Sequence, residues 1–252
     1  MNLEEGIQRL AERLTGASRV TVLTGAGVST ASGIPTFRDA GGMWKNFRPE
    51  EVATPEAFAR DPKFVWEWYE VRRQAVLDCR PNRAHEVLAA WSERSPAFRL
   101  ITQNVDGLHE RAGTRNVIRF HGSLFDVGCW EECPQSPHRW RDDTVPFPEL
   151  PPSCPYCGGI LRPGVVWFGE MIDPEVLRRA DAALECDLFL SIGTSSQVHP
   201  AAALIHTAAA LGAFTVEINP EATPASPVPD LSLAGKAEVV LDRVEDVLQR
   251  RT

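Results

Sequence analysis

The chain has no run of lysine or arginine, no apolar stretch long enough to cross a bilayer, and no internal repeat. Its 26 Lys and Arg are outnumbered by 34 Asp and Glu, a net charge of −8. An acidic balance with no basic cluster argues against a dedicated nucleic-acid surface. A bilayer span needs about 20 consecutive apolar residues, so no membrane partner is expected. Met1-Asn2-Leu3-Glu4-Glu5 carries acids where a secretory or mitochondrial leader would carry bases. A disulfide framework is missing as well. Four of the six cysteines stand at metal-ligand spacing, which suits a reducing compartment, and the expectation is a cytoplasmic protein. What remains is 43% hydrophobic residues in a chain of 252, enough for a large core with a smaller module inserted.

Residues 3–15 repeat Leu3, Ile7, Leu10 and Leu14 on one helical face. Short apolar runs follow at 20–23, 100–102, 117–120, 188–192, 214–218 and 239–241, separated for the most part by helical patterns at 82–94, 174–185, 200–211 and 243–250. Strands alternating with helices predict an α/β fold, a Rossmann-like doubly wound parallel sheet. Two stretches break the rhythm: 41–80, rich in Trp and Phe, and 122–164, which holds cysteines and prolines. These read as a smaller module with a helical and a zinc-binding part, leaving 1–40, 81–121 and 165–252 for the discontinuous nucleotide-binding domain.

Cys129, Cys133, Cys154 and Cys157 form two close pairs, C-x3-C and C-P-Y-C. Thiolates so spaced build the closed tetrahedral cage of one structural Zn2+, with no open position for catalysis. Cys79 and Cys186 read as core or near-surface residues. Chemistry is sought instead at the turn Gly25-Ala26-Gly27, where backbone N–H groups after a strand suit a pyrophosphate. A tight turn without ligand is the lesser alternative by motif alone. The dehydrogenase pattern is incomplete, since Thr30 stands at the third glycine and no second strand ends in an acid at the usual distance. Gln103-Asn104-Val105-Asp106, His121-Gly122, Gly193-Thr194-Ser195 and Asn219-Pro220-Glu221 each follow a predicted strand. Any one is ordinary turn chemistry; four at one sheet edge, where ligands collect in such folds, point to a site.

These stretches, in this order, resemble the sirtuins, NAD-dependent protein lysine deacylases. The match runs through Gly25 to Ser29, Gly33 to Arg38, Thr102 to His109, Phe120 to Ser123, the cysteine pairs, Arg162-Pro163, Val165 to Glu170 and Gly193 to Ser195. The resemblance implies NAD and an acyl-lysine protein substrate meeting in a cleft between two domains, with nicotinamide and O-acyl-ADP-ribose released. It places cofactor contacts on Gly25, Ala26, Gly27, Ser29, Ile34, Pro35, Thr36, Phe37, Arg38, Trp44, Gly193, Thr194 and Ser195. Asn219, Pro220, Glu221 and Ala237 would frame the adenosine. Gln103, Asn104, Val105 and Asp106 would line the nicotinamide pocket, with Asn104 catalytic beside the general base His121. Imidazole suits that base because its pKa lies near neutrality. Val166, Phe168, Gly169 and Glu170 would form an edge to which substrate peptide adds as a strand.

The other histidines carry weaker readings: packing or solvent for His85, a spare metal ligand for His138, and no named partner for His109, His199 and His206. Arg38 is either a surface ion pair with Asp39 or a guanidinium near the diphosphate. Tyr69 and Arg72 lie three apart on one helical face. An amphipathic helix accounts for them, yet they also resemble the Y-x-x-R of the branch that removes succinyl and malonyl, and Ala53 matches that branch's widened pocket mouth. A weaker deacetylation would accompany it. A sensor that only binds NAD or ADP-ribose, a deacetylase and a protein ADP-ribosyltransferase stay open. A monomer is the expected state.

Overall fold

The computed structural model describes residues 2–36 and 48–251. The elements run α1 Leu3–Gly16, β1 Val20–Thr24, α2 Pro49–Val52, α3 Pro55–Arg60, α4 Pro62–Asp78, α5 Arg83–Arg94, β2 Arg99–Thr102, α6 Leu108–Arg111 and β3 Val117–Arg119. Then come β4 Gly122–Cys129, β5 Trp140–Arg141, β6 Leu161–Val165, α7 Pro174–Ala183, β7 Leu188–Ile192, α8 Leu204–Ala210, β8 Phe214–Asn219, β9 Leu231–Ala234 and α9 Ala237–Gln249. No helix among the described residues is long and apolar enough to cross a membrane.

Six strands form one parallel sheet in the order β3-β2-β1-β7-β8-β9. Period-two alternation distributes their side chains between two cores. Val20, Val22, Leu188, Leu190 and Ile192 face α1, α5 and α9, while Leu23 and Phe189 face α7 and α8. Burial on both faces is why these strands read as continuous apolar runs. A third cluster joins Val52, Phe58, Val65, Trp66, Trp68, Tyr69, Leu124, Val127, Leu161 and Trp167 around α2, α3, α4 and the antiparallel sheet β5-β4-β6. Arg73, fully buried, locks this module: its guanidinium donates to the carbonyls of Leu124, Asp142 and Thr144 at 2.8, 2.8 and 2.9 Å and lies between the rings of Phe125 and Phe147.

One expectation is overturned. The run Val239-Val240-Leu241 is not a strand but part of α9, which begins at Ala237 rather than 243. Ala237, Val240, Leu241 and Val244 recur at helical spacing and all face one core, and the sixth strand is instead Leu231–Ala234. β4 and β6 were hidden among cysteines and prolines. Pro163 sits inside β6, which lies at the edge of its sheet, where a missing N–H is tolerated.

Candidate functional site

The chain passes from β1 to β2 and β3 on one side of the sheet, then returns to place β7 against the other side of β1. That reversal opens a crevice at the carboxyl ends of β1 and β7, where open α/β sheets bind ligands. Gly25 N–H donates to Ile192 O (3.1 Å), Gly27 N–H to Gly193 O (2.8 Å) and Gly193 N–H to Ile218 O (3.0 Å), stitching the loops after β1, β7 and β8 together. Backbones this close exclude side chains. A Cβ on Gly25 would stand 2.8 Å from Thr194 Cα, one on Gly27 2.8 Å from Gly193 Cα, and Gly193 itself has φ +61°. The motif therefore closes a backbone-lined floor, followed by a 3-10 turn over Ala26–Ser32.

Above this floor lies a cleft of about 710 Å3, within the usual range for small-molecule sites. Gly25, Ala26, Gly27, Thr36, Gly193, Thr194, Ser195, Asn219, Pro220, Glu221 and Ala237 line it along the sheet edge. Gln103, Asn104, Val105 and His121 line it beyond β2 and β3, and Ala53, Tyr69, Arg72, Val166, Phe168, Gly169 and Glu170 on the side of the small module. Ser29 and Asp106 are buried just outside that lining. Ile34 packs on the small module's core, and Pro35 is exposed. Phe37, Arg38 and Trp44 lie outside the described residues.

The polar side chains form one connected set. Ser29 Oγ donates to Asp106 Oδ2 (2.8 Å) and accepts from Asn104 Nδ2 (3.1 Å), which fixes the Asn104 amide toward the cleft. Asp106 Oδ1 also accepts from Leu108 N–H at 2.9 Å. Burial raises the Asp106 pKa, and these two hydrogen bonds oppose the rise. Gln103 Nε2 reaches Thr194 Oγ1 at 2.9 Å, bridging the loops after β2 and β7. Behind them His85 and His109 pack together, with ring centroids 4.8 Å apart and planes tilted by 55°. His85 Nε2 lies 3.4 Å from Ser29 Oγ, and His109 Nε2 lies 3.0 Å from Thr24 Oγ1. Burial holds both histidine pKa values down to about 3, with His109 adding to the effect on His85. His85 thus has packing as its explanation, and His109 gains the partners the sequence did not show.

His121 Nδ1 lies 3.3 Å from the carbonyl of Gln103. A carbonyl only accepts, so Nδ1 carries the proton and Nε2 keeps its lone pair. Burial lowers the His121 pKa and the Gln103 carbonyl opposes it. Val166 N–H donates to His121 O (2.9 Å) and Phe168 N–H to Ala53 O (3.0 Å), which pins segment 165–170 across the cleft mouth. Glu170 is largely committed to structure: Arg162 grips it through two hydrogen bonds of 2.6 and 2.9 Å, and Trp167 N–H donates to it at 2.8 Å.

Tyr69, only 2% exposed, accepts at Oη from Trp167 Nε1 (2.9 Å). The Arg72 guanidinium lies 4.4 Å from the Trp68 ring centre and 5.5 Å from that of Tyr69. Burial lowers the Arg72 pKa, with Tyr69 and then Asp106 opposing; burial raises that of Tyr69. Among the described lining residues, Trp68, Ile172, Gln197, Val198, His199, Pro200, Ala222, Thr223, Pro224 and Lys236 are not among those the sequence points to. Residues 197–200 continue the loop after β7, so the strand-end argument extended a few residues would have found them. Lys236 was lost with the misplaced start of α9. The loop carrying Thr223 is held from below, where buried Glu217 accepts hydrogen bonds from the hydroxyls of Thr223 and Ser226.

The four paired cysteines converge. Their Sγ atoms all lie within 4.8 Å of one another, with Cys129–Cys157 at 3.6 Å and Cys133–Cys154 at 3.9 Å. A tetrahedron with Zn–S bonds of about 2.3 Å has edges of about 3.8 Å, so the set fits one zinc ion. Gly159 N–H points at Cys157 Sγ (3.4 Å), and Gly158 makes the turn with φ +78°. His138 is not in the cluster.

The Sir2 family pattern matches residues 25–200. Over 233 residues the chain is 48% identical to an NAD-dependent protein deacylase of Aquifex aeolicus (strain VF5), covering 92% of this chain and 96% of that one. It is 47% identical over 239 residues to NAD-dependent protein deacylase 1 of Archaeoglobus fulgidus, covering 94% and 96%. A crystal structure of a Sir2 homologue in complex with NAD superposes with a TM-score of 0.88 at 46% identity, covering 97% of this chain and 95% of that one. Sir2Af2 bound to a myristoylated histone peptide superposes with a TM-score of 0.76 at 31% identity, covering 98% of each.

Proposed function

This chain belongs to the Sir2 family and is an NAD-dependent protein deacylase, and we propose that it removes acidic acyl groups, succinyl and malonyl, from lysine. The observation that carries the acyl preference is the pair Tyr69 and Arg72 on the cleft wall. A cation there, half-buried and stacked over Trp68, offers a terminal carboxylate a fork of N–H donors, while Ala53 leaves room at the mouth. Acetyl-lysine has no group to use it.

The cleft suits NAD chemically. Its sheet edge presents loop backbone with few side chains, Thr194 and Ser195 supply hydroxyls, and Glu221 an acceptor for ribose hydroxyls. Bound NAD supplies the electrophile, a ribose carbon exposed to the substrate's amide oxygen as the bond to nicotinamide breaks. Asn104, held by Ser29, and buried Asp106 orient the nicotinamide end. Alignment is what a weak amide nucleophile needs most. His121 Nε2, its lone pair directed by the Nδ1–Gln103 contact, takes the proton from a ribose hydroxyl. The segment Val166 to Glu170 supplies a strand edge for the substrate peptide. Zinc, held by Cys129, Cys133, Cys154 and Cys157, cross-links the small module and takes no part in the chemistry. The same reading assigns 1–40, 81–121 and 165–252 to nucleotide binding and 41–80 and 122–164 to the small domain.

A second reading has one observation behind it. The Sir2 protein solved with a myristoylated peptide shows that a relative accommodates a long apolar chain, and Val105, Val166 and Ile172 would suit one here. Comparing kcat/KM for succinyl, acetyl and myristoyl versions of one peptide decides between them. Succinyl should lead; a myristoyl preference would replace the proposal.

A further inference from the structure

Of the 26 lysine and arginine residues only Lys45, Lys63 and Lys236 are lysines. Lys63 stands exposed at the start of α4, and Lys45 lies outside the described residues. Lys236 is different. Its backbone caps α9, with Val239 and Val240 N–H donating to its carbonyl, and the preceding Gly235 N–H is tied to Asn219 O at 3.1 Å. Its backbone is therefore held at a fixed point on the cleft rim, and the residue, exposed, lines the cleft beside Glu221 and Ala237. Among the described lining residues the lysines and arginines are Arg72, on the small-module side, and Lys236, on the nucleotide side. A dinucleotide carries two negative phosphates into a protein of net charge −8, so this one ammonium matters to the local potential.

We propose that Lys236 is a modification site, whose acylation by an acyl thioester lowers NAD affinity and slows the enzyme when acyl donors are abundant. This rests on the NAD-dependent reading of the cleft. In the reaction the neutral ε-amine attacks the thioester carbonyl, the C–N bond forms as the C–S bond breaks, and the thiolate leaves with the nitrogen's proton. Acetylation erases the charge; succinylation reverses it and adds bulk at the nucleotide rim. The product is an acyl-lysine, the substrate class proposed above, so unmodified copies can restore it in trans.

The test uses the full chain with Lys45→Arg and Lys63→Arg, which leaves Lys236 as the sole lysine, and the same protein with Lys236→Arg added, which has none. Each is treated with succinyl-CoA, mapped by peptide mass spectrometry and titrated with NAD by calorimetry, and treated is compared with untreated protein of the same sequence. In the single-lysine protein Lys236 should carry the succinyl group and the Kd for NAD should rise about tenfold, less so at high salt. The lysine-free protein should show no shift, since the N-terminus is the only amine it retains and any acylation of its free cysteines is common to both proteins. An unchanged Kd with Lys236 fully modified, a resistant Lys236 under conditions that acylate Lys63 in the natural sequence, or an equal shift in the lysine-free protein would overturn this inference alone. No NAD binding by untreated protein would overturn the reading beneath it.

Discussion

Replacing Arg72 with Met removes the guanidinium while keeping an unbranched chain over Trp68. For a succinyl substrate the loss is the hydrogen bonding of a half-buried fork to a carboxylate. One hydrogen bond to a charged group contributes about 1.5–3 kcal/mol, so succinyl kcat/KM should fall by about 10–100-fold. The lost stacking of Arg72 on Trp68 and Tyr69 contributes about 0.5–1 kcal/mol and falls on every substrate alike. Acetyl turnover should therefore change less than about fivefold, and the ratio of the two losses isolates the carboxylate. Tyr69→Phe is a poorer probe, because it strips Trp167 Nε1 of its acceptor and a stranded buried donor disturbs the wall for both substrates. The assay is kcat/KM on matched succinyl and acetyl peptides at saturating NAD. Equal losses on both would mean that Arg72 supports the wall and does not read the acyl chain.

His121→Ala should lower deacylation by about 10²–10⁴-fold with NAD binding by calorimetry retained; near-normal turnover would remove His121 as the base. Because burial lowers the His121 pKa, the acid limb of kcat/KM should fall below the ordinary imidazole value near 6.5. Cys154→Ser should lower zinc content and thermal stability together, and metal analysis finding no zinc in freshly purified natural protein would contradict the tetrathiolate site. His85 and His109, with folded pKa values near 3, stay neutral in the fold while the unfolded chain protonates near 6.5. Their stabilisation is therefore complete above about pH 6.5 and is lost as pH falls toward 3, at about 1.4 kcal/mol per pH unit for each. Denaturant melts at pH 7 and 5 check this, and His85→Asn should flatten the slope by one proton.

What could be read from the sequence was what local chemistry determines. The strands buried on both faces declared themselves as apolar runs, and the C-x3-C and C-P-Y-C spacings declared the metal cluster before any geometry. The strand-end clusters at 25–27, 103–106, 121 and 193–195 were visible because a parallel sheet gathers all its carboxyl ends on one edge. What failed was boundary and long-range information. Val239-Val240-Leu241 has the β-branched composition of a strand, yet tertiary packing of Ala237 and Val244 on the same core made it helix. The pairing of β4 with β6 joins residues more than thirty apart in the chain. Neither Arg162's grip on Glu170 nor the His85–His109 contact has a local signature, since each depends on elements that meet only in the folded chain.

The most direct measurement is mass spectrometry of everything formed when the purified protein meets NAD and a succinyl-lysine peptide. The account predicts free nicotinamide, a peptide lighter by the succinyl group, and ADP-ribose carrying that group, in equal amounts. A peptide that instead gains ADP-ribose would make the protein a transferase to another acceptor. Intact NAD beside unchanged peptide would make the cleft a sensor and remove the catalytic reading of His121 and Asn104.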